Sequence, residues 1–231
     1  MYTLLLRLSA PLQSWGSGSM YDDRETDHMP TKSGVIGMLA AALGRRRDEA
    51  LDDLTKLGFG VRIDQQGVKL TDLQITDMGK KLNLNLSHRA YLSDAIFLVG
   101  LSSQDIDLLK KLEEALEHPR YSVFLGRRSC PPTLPLVLGI RDKELYHSLL
   151  EEDWLVPEWR RKRLFRYSDD LHLRIVMDST HKDAVKKDIP LSFSPFKREY
   201  GYRYQKEMPG KIVKKKPDPL FMEHDPMSEL R

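Results

Sequence analysis

Apolar positions along this chain follow two rhythms, one of strands and one of helices. The run over residues 2–8, YTLLLRL, is too short for an isolated helix and reads as a strand. From Gly34 onward Ile36, Leu39, Ala40 and Leu43 recur at helical spacing, with Thr31 placed to cap the helix and Gly44 placed to stop it. Residues 59–63 and 68–73 read as two strands joined through Asp64, Gln65, Gln66 and Gly67, a hairpin by its turn residues. Residues 76–87 are polar and weakly patterned, an exposed excursion. Residues 91–101, YLSDAIFLVGL, read as one buried strand, and Ser102 or Ser103 caps a second helix on which Ile106, Leu109, Leu112 and Leu116 share a face. His118 and Pro119 end it.

Residues 121–125 and 134–139 are further strand candidates around a loop at 126–132. The larger elements then run strand, helix, strand, strand, helix, strand, which predicts an α+β, split βαβ domain of ferredoxin-like type over residues 1–140. Residues 141–208 have a different texture: a short helix over 142–152, a basic and aromatic stretch over 154–167, a strand over 171–177, and aromatics among basic residues over 189–205. They predict a smaller β-rich domain. Beyond residue 208 the chain is rich in Lys and Pro, and 209–231 is expected to form a flexible tail.

Charge and composition narrow the chemistry. Lys and Arg number 37 against 34 Asp and Glu, a net +3, so attraction to a polyanion must come from clustering. Arg45, Arg46 and Arg47 cluster, as do Arg127 and Arg128, the residues from Arg160 to Arg163, and Lys214 to Lys216. The single cysteine, Cys130, excludes an internal disulfide, and with no apolar run long enough for a membrane span the reading is cytoplasmic, with no membrane partner. One cysteine and 7 scattered histidines give no zinc-ligand spacing, and no dinucleotide or nucleophile-elbow motif is present. No metal or cofactor is expected.

Two segments carry candidate binding chemistry. At the first helix start, Thr31, Lys32, Ser33 and Gly34 offer unpaired backbone N–H groups, the positive end of the helix dipole and an ammonium. Gly34 also removes a side chain that would hold a phosphate off the backbone. The alternative is an ordinary capped helix. In the second segment Gly126 permits a tight turn, Arg127 and Arg128 supply forked donors, and Ser129 adds a hydroxyl beside Cys130. The alternative there is surface charge alone. With Trp15 as an aromatic face, the two segments together suggest a single-stranded nucleic-acid site. Tyr200, Tyr202 and Tyr204 form either a second stacking surface or one packed face of a strand. A metal-free ribonuclease would draw on Tyr21, His28, Lys32 and His88. Cys130 reads either as a thiol activated by the arginines or as a buried structural thiol.

The motifs RLSAPLQSWG, PTKSGVIGMLAA, YLSDAIF, PRYSVFLGRRSCPPTLPLVLG and IPLSFSPFKREY resemble the CasD family, the subunit of the type I-E CRISPR complex Cascade within the RAMP superfamily. The resemblance spans most of residues 1–205. It implies an RRM-like, ferredoxin-type N-terminal domain with a thumb at about 76–90 and a small C-terminal β domain. It also implies a non-catalytic role: capping the 5′ handle of the CRISPR RNA (crRNA), seating the CasA large subunit, contacting the CasC backbone subunits, and meeting target DNA through the assembled complex. The RNA contacts it implies fall at Gln13, Trp15 and Arg24, at Thr31 to Gly34, at Arg89 and Tyr91, and at Gly126 to Cys130. A related subunit in type I-C systems is an endoribonuclease that processes the repeat, which is the alternative function. A general single-strand binder is the third.

Overall fold

The computed structural model describes residues 1–16, 23–77, 84–166, 168–181, 183–194 and 196–215. In chain order these form strand β1 (Tyr2–Ser9), the short strands β2 (Leu12–Gln13) and β3 (Asp23–Arg24), helix α1 (Lys32–Ala42), the single turn α2 (Asp52–Thr55) and strands β4 (Gly58–Gln65), β5 (Val68–Asp77), β6 (Leu84–Ser93) and β7 (Ile96–Ser103). Helix α3 (Ile106–Glu117), strand β8 (Val137–Arg141), helices α4 (Leu145–Glu151) and α5 (Glu158–Leu164), and strands β9 (Asp170–Ser179), β10 (Ala184–Phe193) and β11 (Arg198–Lys214) complete them. None of these helices is long and apolar enough to cross a membrane.

The principal sheet has 7 strands in the order β10, β11, β9, β4, β7, β1, β8. Its neighbours all pair antiparallel. The continuous apolar run of β1 has a direct cause, because the sheet is covered on both faces. Leu4, Leu6 and Leu8 join the core beneath α1 and α3, whereas Leu5 points the other way and packs with Leu98 against Leu145 and Leu149 of α4. In β4 the same alternation sends Phe59, Val61 and Ile63 to the first core and turns Gly60 and Arg62 toward the second face. A third cluster, Ile96, Trp154, Val156, Phe165 and Leu173, secures the segment around α5.

On the second face, Arg62 is fully buried. Its guanidinium forks onto Asp64 at 2.6 and 2.9 Å and donates to the carbonyls of Leu149, Glu152 and Asp153, each at 2.6 Å. Asp64 Oδ2 in turn accepts from the Leu155 backbone N–H at 2.8 Å, so one ion pair ties the end of α4 to β4.

Several elements differ from the sequence reading. The turn at residues 64–67 does not close a hairpin: β4 pairs with β7 and β9, while β5 pairs with β6 in a second, 4-stranded sheet with β2 and β3. Residues 76–87, expected as an excursion, contribute to both arms of the β5–β6 hairpin, and 78–83 lie outside the described residues. The strand expected over 91–101 is broken at Asp94, which takes a φ of 58°, so its halves serve different sheets. Residues 121–125 form no strand; Tyr121 N–H donates instead to Ala41 O, near the end of α1. The second helix is capped by Asp105, whose carboxylate accepts from Asp107 and Leu108 N–H, rather than by Ser102 or Ser103.

A boundary at residue 140 does not divide two sheets. The β4–β9 pairing through Gly60–Met177, Val61–Val176 and Arg62–Ile175 carries the C-terminal strands into the N-terminal sheet. The first residues of the tail expected from 209 are strand instead, because β11 continues through Lys211 to Lys214 in register with Leu173 to Asp170. Residues 216–231 lie outside the described residues.

Breaking a fully buried pair by removing one partner leaves an uncompensated charge. Asp64→Ala is therefore expected to cost about 3–5 kcal/mol. Urea unfolding followed by circular dichroism checks this, with a lowered midpoint at unchanged slope as the expected result.

Candidate nucleic-acid interface

Helix α1 starts as its sequence predicts. Thr31 Oγ1 accepts from Gly34 N–H at 3.2 Å, and Gly44 leaves the helix with a φ of 77°. The anion at this terminus, however, is one of the protein's own carboxylates. Asp188 of β10 accepts from Lys32 backbone N–H at 3.0 Å, and Arg203 of β11 forks onto the same carboxylate at 2.6 and 2.9 Å. Arg203 also reaches Asp178 of β9 at 2.7 Å, and the Lys32 ammonium bonds the other oxygen of Asp178 at 2.9 Å. Burial by itself would lower the Arg203 guanidinium, but the hydrogen bonds and charges of Asp188 and Asp178 outweigh it and hold it above its ordinary range. Two cations face two carboxylates in a largely buried network of balanced charge, and Lys32 is already engaged there rather than available to an external phosphate as the sequence reading expected.

The role expected of Gly34 also changes. A Cβ there would lie 2.9 Å from the Trp15 ring, so the glycine admits an indole rather than a phosphate. Trp15 is itself a core residue: its Nε1–H donates to Gln13 Oε1 at 3.0 Å, and its backbone N–H donates to Thr26 Oγ1 at 2.8 Å. Gln13 is equally buried and donates to the carbonyls of Leu8 and Ala95. These residues build the wall of a site without presenting faces to a ligand.

The loop after β7 and α3 docks directly onto this wall. Gly126 has a φ of 85°, and a Cβ on it would fall 1.5 Å from Ser14 O, so only glycine permits the crossing. Ser14 N–H donates to Leu125 O at 3.1 Å, and the loop closes on itself through Leu125 N–H to Cys130 O and Cys130 N–H to Arg127 O. Its two arginines then diverge. Arg127 stacks 4.5 Å above the Tyr91 ring and donates to Arg24 O at 2.8 Å. Beside it Arg24 lies opposite Arg89 in the β3–β6 pairing, and Arg127 Nη1 and Arg89 Nε are buried donors without a hydrogen-bond partner among the described residues. Arg128 is exposed and faces a large cleft. Ser129 lies within 3.8 Å of the Cys130 sulfur, and Cys130 is buried. Burial raises its thiol above the usual range despite the opposing hydrogen bond from Ser129 and the charge of Arg127. That is the buried structural thiol of the two readings, with no activation by the arginines.

The cleft, about 780 Å³, brings both predicted segments together with a third that sequence reasoning did not assign to the site. Ser14, Trp15, Thr31, Ser33, Gly34, Gly126 and Arg128 line one part of it. Arg45, Arg46 and Arg47 follow α1 around its rim, and Phe193, Phe196, Arg198 and Tyr200 from the β10–β11 ribbon close the far side. The local signals for these residues were the arginine run directly after the helix stop and the aromatic-basic texture near residue 195. Arg45 is tied to Asp53 by two hydrogen bonds, and Arg46 lies 3.4 Å from Asp48. Among the described residues Arg47, Arg128 and Arg198 have no carboxylate partner. Unpaired guanidiniums beside aromatic rings suit phosphates and unstacked bases.

The acid–base constellation does not assemble in the same place. Lys32 is held by Asp178, His28 lines a separate groove with Lys186 and Gln205, and His88 pairs with Asp23 at 3.2 Å. Tyr21 lies outside the described residues.

Comparison with known proteins decides the family. The family described as CRISPR-associated protein (Cas_Cas5) matches residues 3–205. The chain belongs to the Cas5 family. This Cas5 chain is 38% identical over 156 residues to the CRISPR system Cascade subunit CasD of Escherichia coli (strain K12), covering 59% of this chain and 70% of that one. It is similar to a chain of a solved CRISPR RNA-guided surveillance complex, with a TM-score of 0.76 at 32% identity over 92% of this chain and 91% of the other. It is also similar to a crystal structure of a Cas protein, with a TM-score of 0.69 at 36% identity over 92% and 95% of the two chains. In this Cas5 chain the PTKSG segment is a helix start whose lysine and backbone are used internally.

Because the Trp15 ring fills the space a Gly34 side chain would need, Gly34→Ala is expected to overpack the junction and cost about 1–3 kcal/mol. Thermal unfolding of the variant measures it, and an unchanged midpoint would remove the steric role assigned to this glycine.

Proposed function

We propose that this Cas5-family chain is a non-catalytic, RNA-binding subunit of a Cascade-type surveillance complex, and that its cleft holds the 5′ handle of the crRNA. The observation that carries this reading is the set of three unpaired guanidiniums, Arg47, Arg128 and Arg198, disposed around one aromatic-lined cleft. Guanidiniums of this kind take phosphates and fix the register of the strand, while rings and backbone edges read its bases. The relatives supply the setting, one being named as a Cascade subunit and another as a chain of an RNA-guided surveillance complex.

The scaffold fits the reading. Within the larger sheet the order β8, β1, β7, β4, with α1 following β1 and α3 following β7, supports reading this part as a split βαβ domain of ferredoxin-like or RRM-like type. The β5–β6 hairpin then serves as the thumb. Leu73, Ile75 and Leu86 are exposed, and the pairing of Ile75 with Leu86 and of Leu73 with His88 sets them on one face. An apolar face of this kind suits contact with a neighbouring CasC backbone subunit. The large subunit CasA seats beside the bound handle, and target DNA is met through the assembled complex. The Arg127–Tyr91 stack, with Arg24 and Arg89 beside it, forms a second cationic position near the loop, where two buried donors lack partners.

Arg128→Ala combined with Arg198→Ala is expected to weaken binding of handle-length single-stranded RNA about tenfold or more and to reduce the slope of log affinity against log salt by about 0.7 for each phosphate that is no longer neutralised. Fluorescence anisotropy over a salt series measures both, and an unchanged affinity with an unchanged slope would remove the cleft from the RNA path. Incubation of the wild-type chain with a labelled repeat hairpin in chelator is expected to leave the RNA intact. A discrete product that disappears on His28→Ala or His88→Ala would establish the endoribonuclease reading instead.

A further inference from the structure

The aromatic residues of β11 pack into none of the three hydrophobic clusters. Tyr200 lines the cleft, Tyr202 is 66% exposed and Tyr204 is 38% exposed, so the packed-strand reading of this spacing does not hold. Residues two apart on a strand lie about 6.6–6.8 Å from one another on one side, twice the ~3.4 Å rise of stacked bases. That leaves room for one base between successive rings. The pairing with β10 sets Lys187 opposite Tyr202, and the Lys187 ammonium sits 5.4 Å from the centre of that ring. The acidic residue nearest the start of the row, Glu199, is held by Lys197 at 3.0 Å. At the cleft end Phe196 is 99% exposed, beside the unpaired Arg198.

From this continuity and charge we infer that Tyr200, Tyr202 and Tyr204 form a stacking track that carries a single-stranded RNA out of the cleft along the β10–β11 ribbon. The inference rests on the cleft reading above and extends it. Tyr200 passes the strand from the cleft to the ribbon. Tyr202 and Tyr204 stack successive bases without regard to their identity, and Lys187 meets the phosphate beside Tyr202. Ring faces without base-edge readout make the track tolerant of sequence, while the cleft sets position.

The test compares the full chain with two variants on fluorescein-labelled, unstructured single-stranded RNAs of about 6 and about 12 nucleotides, lengths that span the usual footprint of such a site. The parent is expected to bind the longer RNA about tenfold more tightly than the shorter. Tyr202→Leu with Tyr204→Leu is expected to bring the longer RNA down to the affinity of the shorter while leaving the shorter unchanged. Tyr202→Phe with Tyr204→Phe is expected to retain the length advantage, which separates ring stacking from any effect on folding. Should the double leucine variant bind both RNAs like the parent while Arg128→Ala with Arg198→Ala binds both weakly, the track is overturned, the cleft reading stands, and the tyrosines are left to contact with another protein. Should the arginine variant also bind both like the parent, the cleft reading falls and the track with it.

Discussion

A helix that begins with unpaired N–H groups needs hydrogen-bond acceptors, and in this protein one of them is a carboxylate 156 residues further along the chain. Asp188 accepts from the first turn of α1 while Arg203 and Asp178 lock that carboxylate, the Lys32 ammonium and the backbone of Phe59 into one network. The far wall of the cleft depends on this junction. It joins α1 to β4, β9, β10 and β11, and it sets the ribbon end over the helix so that a Cβ on Gly37 would lie 3.5 Å from the Phe193 ring. The ribbon therefore becomes a wall of the cleft instead of a free edge.

Buried charge of this kind is expensive in desolvation and is tolerated only when its geometry is nearly complete. Both buried networks meet that condition by using bidentate arginines, whose planar fork matches a carboxylate. Arg62 joins α4 to the second face of the sheet, and Arg203 joins the ribbon to α1. Because the α1 network is internally neutral, it contributes no net attraction to a polyanion, and the positive character of the cleft falls to Arg47, Arg128 and Arg198 on its rim. The walls are fixed by buried groups and the contacts are offered by exposed ones, an arrangement in keeping with the RNA-binding role proposed for the cleft.

The loop bearing Arg127 and Arg128 shows how close packing divides two adjacent like residues between two tasks. The Gly126 crossing over Ser14 fixes the backbone, after which one arginine falls onto Tyr91 and the other into the cleft. Their separation comes from the turn, since neither side chain differs from the other in chemistry. The same logic applies to Trp15 and Gly34. An aromatic ring and a glycine that together suggest a ligand site prove to be each other's packing partners, because the ring fills the space the missing side chain leaves.

Local rules made much of this legible in the residues alone. The cap at Thr31, the stop at Gly44, the apolar face of α3 and the strand character of residues 2–8 follow from interactions within a few positions, and the structure contains each of them. The nearness of residues 13–15, 31–34 and 126–130 also followed, through motifs that mark one family. What local rules could not decide was which distant group answers each local demand. The strand after Gly67 had a turn fit for pairing with β4, yet β4 finds β7 and β9, and β5 finds β6, because register and burial across the whole sheet outweigh a turn. Lys32 had the position of a phosphate ligand, yet Asp178 and Asp188 reach that helix start first. Sequence determines the demand for a partner, since periodicity, caps and charge act over short range; tertiary structure decides who meets it, since that depends on the free energy of the entire packed arrangement.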